Sequence, residues 1–456
     1  MIQLEFSRGT LLVRNTSEEV APLLKDAGCV FDKRVQSWRA PALCYRQVVL
    51  ALREAEAPFQ DEARDYEKLN LISRLERTPF PYQQEALDAW WKARGLGTVI
   101  LPTGAGKTYL AQMVMEKAAC STLVATPTLD LMQQWYGVLS TSYDQEIGLL
   151  GGGYHEPKAI TVTTYDSAFI HMERLGNRFG LLIFDECHHL PGPSYSQAAE
   201  LSLAPFRLGL TATPERQDGE EWRLDRLTGP IVYRREIDEL AGHYLSDYET
   251  VRLRVRLSEA ERESYLEERA LYRDFVARHQ LRLGQPGGWA RFLMMTSRSE
   301  LGRRAFLAYR NQKTIAQASG GKLRLLGQLL ERHCQDRVLV FTNDNRTVYR
   351  ISQQLLIPAI THQTPVKERH LLLQGFNSGD FPFLVTSKVL NEGVDVPAAN
   401  VGIVLSGSGS VREHVQRLGR ILRRGEGKQA VLYEVVAEDT AEEFTSERRR
   451  RHRAYQ

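Results

Sequence analysis

Residues 98–110 read TVILPTGAGKTYL, and this stretch decides the fold. An apolar strand (TVIL) runs into a loop with two glycines, a lysine and a threonine, and YLAQMVMEKA (109–118) follows as a helix. Strand, glycine-rich loop and helix in that order make a phosphate cradle. Gly104 and Gly106 let backbone N–H groups approach a triphosphate, and the helix N-terminus faces the anion. In this reading Thr103, Gly104, Ala105 and Gly106 line the phosphates, Lys107 reaches the β- and γ-phosphates, and the Thr108 hydroxyl ligates Mg²⁺. Leu101 stands where the first glycine of the strict GxxxxGK[ST] pattern would be.

A phosphate loop needs acids to manage the metal and the attacking water. LLIFDECHHL (181–190) supplies them at the end of an apolar strand. Asp185 is expected to hold Mg²⁺ and Glu186 to orient or deprotonate water. Taken alone, a strand ending in Asp-Glu is common surface chemistry; paired with Lys107 in one sheet it reads as catalytic. His188 and His189 have no compatible third ligand nearby, so hydrogen-bonding relays are preferred to zinc.

Further apolar runs extend the sheet: STLVATP (121–127), AITVTTYD (159–166) and FRLGLTAT (206–213). Helical stretches lie between several of them, and this alternation indicates a parallel sheet with ligand loops at the strand C-termini. A second alternation comprises RVLVFTN (337–343), FLVTS (383–387), VGIVLSG (401–407) and AVLYEVV (430–436). Between them lies a charged, mostly helical region with a break at GQPGG (284–288). Ahead of both, residues 1–70 read as a small α/β unit. It has strands at IQLEF and TLLVR, a helix capped by Ser17 and ended by Gly28, and two strands around a turn in CVFDKRVQSWRAPA. The expected class is α/β, with two RecA-like parallel-sheet lobes, a small N-terminal domain and a helical insert. The expected domains are 1–75, 76–245 (lobe 1), 246–320 (insert) and 321–456 (lobe 2 with a basic tail).

A length of 456 residues is too long for one ordinary core and suggests about three domains. The N-terminus carries no basic head followed by an apolar stretch, and no apolar run is long enough to span a bilayer, so no secretory signal or membrane partner is expected. The five cysteines are scattered and never form a CxxC, which reads as free thiols in a reducing, cytoplasmic setting rather than a disulfide framework or zinc site. Net charge is only +3, so the local distribution carries the argument. Eight basic residues lie between Arg278 and Lys313 with Glu300 the only acid, and the tail carries Arg448, Arg449, Arg450, Arg451 and Arg453. Such runs attract phosphate backbones, although each alone could equally be a solvated face.

Taken in order, these segments resemble the motifs of superfamily 2 helicases. TPFPYQQEAL (78–87) resembles the adenine-reading segment, with Gln83 as its glutamine. PTGAGKT, TPTLDLMQQW, VTTYDSA, DECH, TATP, VLVFTN, VTSKVLNEGVDVP (385–397) and QRLGRILR (416–423) follow. The resemblance narrows to the XPB family in its compact archaeal or bacterial form, through LPTGAGKT, DECHHL, GLTATPER and the tail EEFTSERRRRHRAY. The N-terminal unit is similar to that family's damage-recognition domain and the insert to its thumb. The resemblance implies an ATP- and Mg²⁺-dependent DNA helicase of 3′-to-5′ polarity acting in nucleotide excision repair. Its partners would be single-stranded DNA, forked duplex and a nuclease.

Arg420 and Arg423 are three apart and share a helix face, so they can act as arginine fingers when two lobes close, with Gln416 on the same strip. Gly393 permits close backbone approach, and Asp395 can read the ribose or those arginines. Thr128, Thr164, Thr342 and Ser387 are candidate DNA-phosphate contacts, although a lone threonine is more often a loop cap. The family carries Arg-Glu-Asp just after TATP, where this chain has Arg216, Gln217 and Asp218; the pair Arg216 and Asp218 is expected to meet DNA. Three other readings remain: the motor subunit of a nuclease or restriction complex, an RNA helicase, and a non-enzymatic binder of damaged DNA. No nuclease motif stands out, so cutting would need a partner. Stimulation of ATPase activity by DNA or by RNA separates the helicase readings, and ATP hydrolysis itself excludes the binder.

Overall fold

The computed structural model describes all residues except 217, 241–243, 245–247, 286, 388–398, 408–429 and 451–456. The chain forms two compact units, the first spanning Met1–Leu240 and the second beginning at Ala241.

The first unit opens with a five-stranded sheet made of β1 (Ile2–Ser7), β2 (Thr10–Arg14), β3 (Val30–Asp32), β4 (Ser37–Pro41) and β5 (Phe59–Asp61), in the order β3-β4-β2-β1-β5. β1 pairs antiparallel with β2 and parallel with β5. Leu4, Leu11 and Val13 from the strands join Leu24, Val48 and Leu52 from the helices Ala21–Asp26 and Tyr45–Glu54 in one core. The first helix starts later than the Ser17 cap implies. Val20 takes the cap position without a side-chain bond, and Pro22 sits in the first turn, where its missing N–H costs nothing.

This small domain is seated on lobe 1. Leu203, from the loop before the fifth lobe strand of the sequence reading, completes its core. Arg46 donates to the Pro205 carbonyl at 2.7 Å. The connecting segment lies along the lobe, with Asn177 donating to the Ala63 carbonyl at 3.1 Å and the Asp65 N–H donating to the Asn177 carbonyl at 2.9 Å.

Lobe 1 is an eight-stranded sheet. Its strands are β6 (Leu96–Ile100), β7 (Thr122–Thr126), β8 (Ile147–Gly151), β9 (Tyr154–Glu156), β10 (Ile160–Thr164), β11 (Leu181–Asp185), β12 (Phe206–Thr211) and β13 (Ile231–Arg234). The order is β13-β6-β12-β11-β7-β10-β8-β9, parallel apart from the β8–β9 hairpin. Every residue of β7, β10 and β11 is buried, as expected where helices cover both faces of a parallel sheet. The order puts β12 between β6 and β11: Thr211 pairs with Ile100 and Leu210 with Asp185. The phosphate loop, the Asp-Glu pair and the TATP segment therefore leave the sheet at three adjacent strand ends.

The second unit holds a six-stranded, wholly parallel sheet of β14 (Tyr248–Val255), β15 (Val338–Phe341), β16 (Ala359–Ile360), β17 (Phe383–Thr386), β18 (Val401–Val404) and β19 (Ala430–Ala437). Their order is β14-β19-β18-β15-β17-β16. Here the assignment of 246–320 to the insert needs correction. β14 pairs with β19 along its whole length, Tyr248 with Ala430 through Val255 with Ala437, and belongs to the lobe 2 sheet. Its charged Arg252 and Arg254 hide it from a search for apolar runs. The insert proper is three helices, Glu259–Arg278, Gly288–Thr296 and Glu300–Gln317. Phe275, Leu281, Phe292 and Ala305 form its core. Ser258 and Glu261 make a reciprocal capping box at its start. Glu261 also accepts from the Gly320 N–H at 2.8 Å, which ties the insert to the first helix of lobe 2. Part of its basic charge is neutralised locally: Arg304 pairs with Glu268 at 3.2 Å and Arg278 with Asp274 at 2.8 Å. No helix among the described residues is long and apolar enough to cross a membrane.

Candidate nucleotide site and nucleic-acid contacts

β6 delivers the chain into the loop Leu101–Gly106, and the helix Lys107–Ala118 leaves it. Gly104 and Gly106 both take left-handed backbone angles, φ 87° and 75°, which L side chains seldom adopt. A Cβ on Gly106 would also lie 2.5 Å from the Gln83 side-chain nitrogen. Lys107 Nζ donates to the Leu101 and Pro102 carbonyls at 3.2 and 3.5 Å. The ammonium thus closes the loop on itself, where an arriving phosphate can take it over. The Thr103 hydroxyl is buried and has no partner among the described residues, an orphan that a phosphate oxygen would satisfy.

Gln83 is buried behind this loop. Its carbonyl accepts from the Phe80 N–H at 3.0 Å, and its amide donates to the Ala105 carbonyl at 3.2 Å. Tyr82 donates to the same carbonyl at 2.8 Å. The side chain expected to read adenine is thereby a brace of the phosphate loop.

Two strands along, Asp185 is almost fully enclosed. Its carboxylate accepts from Trp135 Nε1 at 2.8 Å and from the Glu186 N–H at 3.0 Å. Burial and the neighbouring Glu186 push it up to about 6. A buried carboxylate crowded by a second one gains from a cation beside it. With the Thr108 hydroxyl the donors are all oxygen, which suits Mg²⁺. The residues present fit such an ion: Thr108 and Asp185 would hold it, and it would screen phosphate charge during transfer.

Glu186 follows in the left-handed region at φ 49°, a strained turn of the kind found at functional sites. Its carboxylate faces the TATP strand end: Thr211 Oγ1 is 3.5 Å from Glu186 and 3.0 Å from His188 Nδ1, and it donates to the Thr213 carbonyl at 3.1 Å. His188 thus serves in a hydrogen-bonded relay. The hub of this relay, Thr211, is not readable from spacing alone, because it depends on β12 lying beside β11.

Arg216 grips Asp218 through one guanidinium edge, Nε at 2.8 Å and Nη2 at 2.5 Å, and its Nη1 donates a short hydrogen bond to the His188 carbonyl. This fork holds the Asp218 carboxyl at about 2. The two residues expected to meet DNA therefore bind one another and anchor the segment after TATP to the Asp-Glu turn.

The proposed phosphate-contacting hydroxyls have local work. Thr128 caps the helix Leu129–Ser142 by accepting from the Leu131 N–H at 3.3 Å, and Thr164 caps Tyr165–Leu175 by accepting from Ser167 N at 3.2 Å. Thr342 is wholly buried and donates to the Asp344 carbonyl at 3.1 Å, and Ser387 is buried as well. Thr342 and Ser387 are thus buried at the ends of β15 and β17. Thr164→Ala is expected to lower stability by about 1 kcal/mol through the lost cap, measured as the denaturant midpoint. An unshifted midpoint with weakened DNA binding would instead make the hydroxyl a phosphate ligand. Gly393, Asp395, Gln416, Arg420 and Arg423 lie outside the described residues.

A lysine-bearing phosphate loop and a DECH turn on either side of the TATP strand end, with a second parallel-sheet unit in the same chain, define a two-lobed nucleoside-triphosphate motor. Known families divide the chain in the same places. Residues 4–63 match the XPB helicase damage recognition domain, 76–216 the type III restriction enzyme res subunit, and 321–425 the helicase conserved C-terminal domain. The chain is 40% identical to the DNA 3′-5′ translocase XPB2 of Sulfurisphaera tokodaii, covering 99% of this chain and 100% of that one. It is 33% identical to the DNA 3′-5′ helicase XPB of Kineococcus radiotolerans, over 82% of this chain and 63% of that longer protein. The helicase domain of Pyrococcus furiosus Hef shares the fold, with a TM-score of 0.53, 19% identity, and coverage of 81% of this chain and 97% of that one. The chain belongs to the XPB family of superfamily 2 helicases and is an ATP-dependent DNA helicase.

Proposed function

We propose that this chain moves 3′ to 5′ along one strand of DNA, burning ATP with Mg²⁺, and opens forked duplex during nucleotide excision repair alongside a nuclease partner. The observation that carries the reading is the convergence of Lys107, Asp185, Glu186 and Thr211 at three adjacent strand ends, on a chain covered from end to end by a relative named a 3′-5′ translocase. In this reading ATP seats on the loop Thr103–Thr108, and Glu186 activates water. Arg420 and Arg423, with Gln416, supply positive charge to the γ-phosphate when the cleft closes, while Gly393 and Asp395 pass that closure to the bound strand. The match of lobe 1 to a restriction-enzyme motor concerns the engine that both classes share. The match at 4–63 favours repair.

The test is strand displacement on duplexes with a 3′ or a 5′ tail, scored beside DNA-stimulated ATPase. Displacement and stimulation are expected with the 3′ tail. Preference for the 5′ tail would overturn the polarity, and stimulation by RNA in place of DNA would overturn the substrate. ATPase stimulation without displacement would leave translocation as the activity, consistent with the missing central acid at Gln217.

A further inference from the structure

Two helices of the insert place one face each over lobe 2. On Glu259–Arg278 the residues Tyr265, Arg269 and Tyr272 follow at i, i+4 and i+7, and on Glu300–Gln317 the residues Tyr309, Gln312 and Lys313 follow at i, i+3 and i+4, so each set shares a side. With Asn343 and Gly407 from the ends of β15 and β18, they enclose a cleft of about 410 Å³. That volume lies within the range of small-ligand sites.

The walls are aromatic. The Tyr272 and Tyr309 rings lie 5.2 Å apart at 47°, and Trp289 and Phe292 back Tyr309 at 5.0 and 6.0 Å. The Lys313 ammonium sits 4.7 Å over the Tyr309 ring at the rim. Tyr265 fixes the floor: its hydroxyl accepts from Arg269 at 2.8 Å and from the Ala441 N–H at 2.8 Å. The acid that lines the cleft, Glu442, is already occupied. It binds buried Lys322 at 2.6 Å and the Ala437 N–H at 3.0 Å, so it adds little net negative charge there.

Two amides are left over. Gln312 is only 5% exposed, lines the cleft, and makes no hydrogen bond with any described residue. Asn343 Oδ1 is buried and unpartnered on the same lining. A buried acceptor such as Asn343 Oδ1 costs stability when unsatisfied unless a ligand completes it, and the Gln312 amide is available to the same ligand. Paired donor and acceptor groups between aromatic faces, with cations at the rim, suit a planar heterocycle carrying a phosphate.

We propose that this cleft receives one unstacked nucleobase of the single strand being tracked. Tyr272 and Tyr309 stack on the ring, Gln312 and Asn343 bond its edge, and Lys313 with Arg269 meets the adjoining phosphate. The insert then holds a base as well as the backbone, which gives the strand a grip within the second unit itself. This inference rests on the DNA-tracking reading above and deepens it.

The test compares oligo-dT with an abasic strand of the same length by fluorescence anisotropy, using the full chain. The wild type is expected to bind oligo-dT about tenfold tighter, the scale of one base–aromatic stack. Gln312→Leu should shrink that ratio roughly threefold, and Tyr309→Ala should abolish it, while Tyr309→Phe keeps it and reports that the ring rather than the hydroxyl acts. Thermal unfolding of each variant identifies any that fail to fold, and Gln312→Leu then decides alone. Equal wild-type affinity for both strands, or a ratio untouched by Gln312→Leu, would overturn the base pocket while leaving backbone tracking intact. Failure to bind either strand would overturn the tracking reading itself. Competition by free dTMP that Gln312→Leu removes, with no preference for oligo-dT over the abasic strand, would make this a free-nucleotide site and overturn the proposal.

Discussion

Lys107→Ala is expected to lower ATP hydrolysis by about 10³-fold or more, with the far-ultraviolet circular dichroism spectrum unchanged. The lysine is part-buried and its structural bonds are to two loop carbonyls, Leu101 and Pro102, which the loop backbone positions without it. The effect therefore falls on the β/γ-phosphates, where a cation counters charge developing in transfer. Glu186→Gln should retain ATP binding and lose about 10²–10⁴-fold in turnover, the usual share of a general base. Its amide still reaches Thr211 and His188 by size, so the relay around the turn should persist. Stopped-flow nucleotide binding beside steady-state phosphate release separates the two variants. Near-normal hydrolysis in either one would remove the motor assignment.

What the sequence made legible follows from which physics is local. β6, β7, β10, β11 and β12 are buried apolar runs, and burial on both faces of a parallel sheet writes itself as such a run. The phosphate loop was legible because its chemistry sits in consecutive residues. β14 was not. Half-buried at a sheet edge, it alternates apolar residues with Arg252 and Arg254 and so resembled the charged insert beside it. The β8–β9 hairpin was missed as well: β9 is three exposed residues, Tyr154–Glu156, with no apolar signal.

The site shows the same division. Lys107, Asp185 and Glu186 could be named from motif spacing, while the Thr211 hub and the Arg216 bond to the His188 carbonyl needed strand order. Gln83 shows a third case: its residue type pointed to adenine, yet its position also makes it a loop brace. The basic run from Arg278 to Lys313 does not show in sequence that the first helix of the insert brings Glu268 to Arg304.

Arg207→Met is expected to destabilise lobe 1 by about 2–4 kcal/mol and to loosen the N-terminal domain with it. Arg207 is 3% exposed, on β12. In place of an acid it binds three carbonyls: Ser202 at 2.8 Å, Leu227 at 3.0 Å and Ala204 at 3.2 Å. Two of these lie in the loop that carries Leu203 into the N-terminal core and Pro205 to Arg46. Methionine fills much of the volume but leaves those carbonyls without the guanidinium, at about 1–3 kcal/mol for each that stays unsatisfied. Part is returned because a buried charge is gone. Burial pushes the guanidinium down to about 9, because the charged form is held away from water. Arg207→Lys keeps the charge but cannot span three acceptors, so it should fall between wild type and methionine. Chemical denaturation gives the stability, and limited proteolysis within residues 63–75 reports the loosened domain. An unshifted midpoint for the methionine variant would mean that the loop holds its shape without the arginine, and that Leu203 alone seats the N-terminal domain.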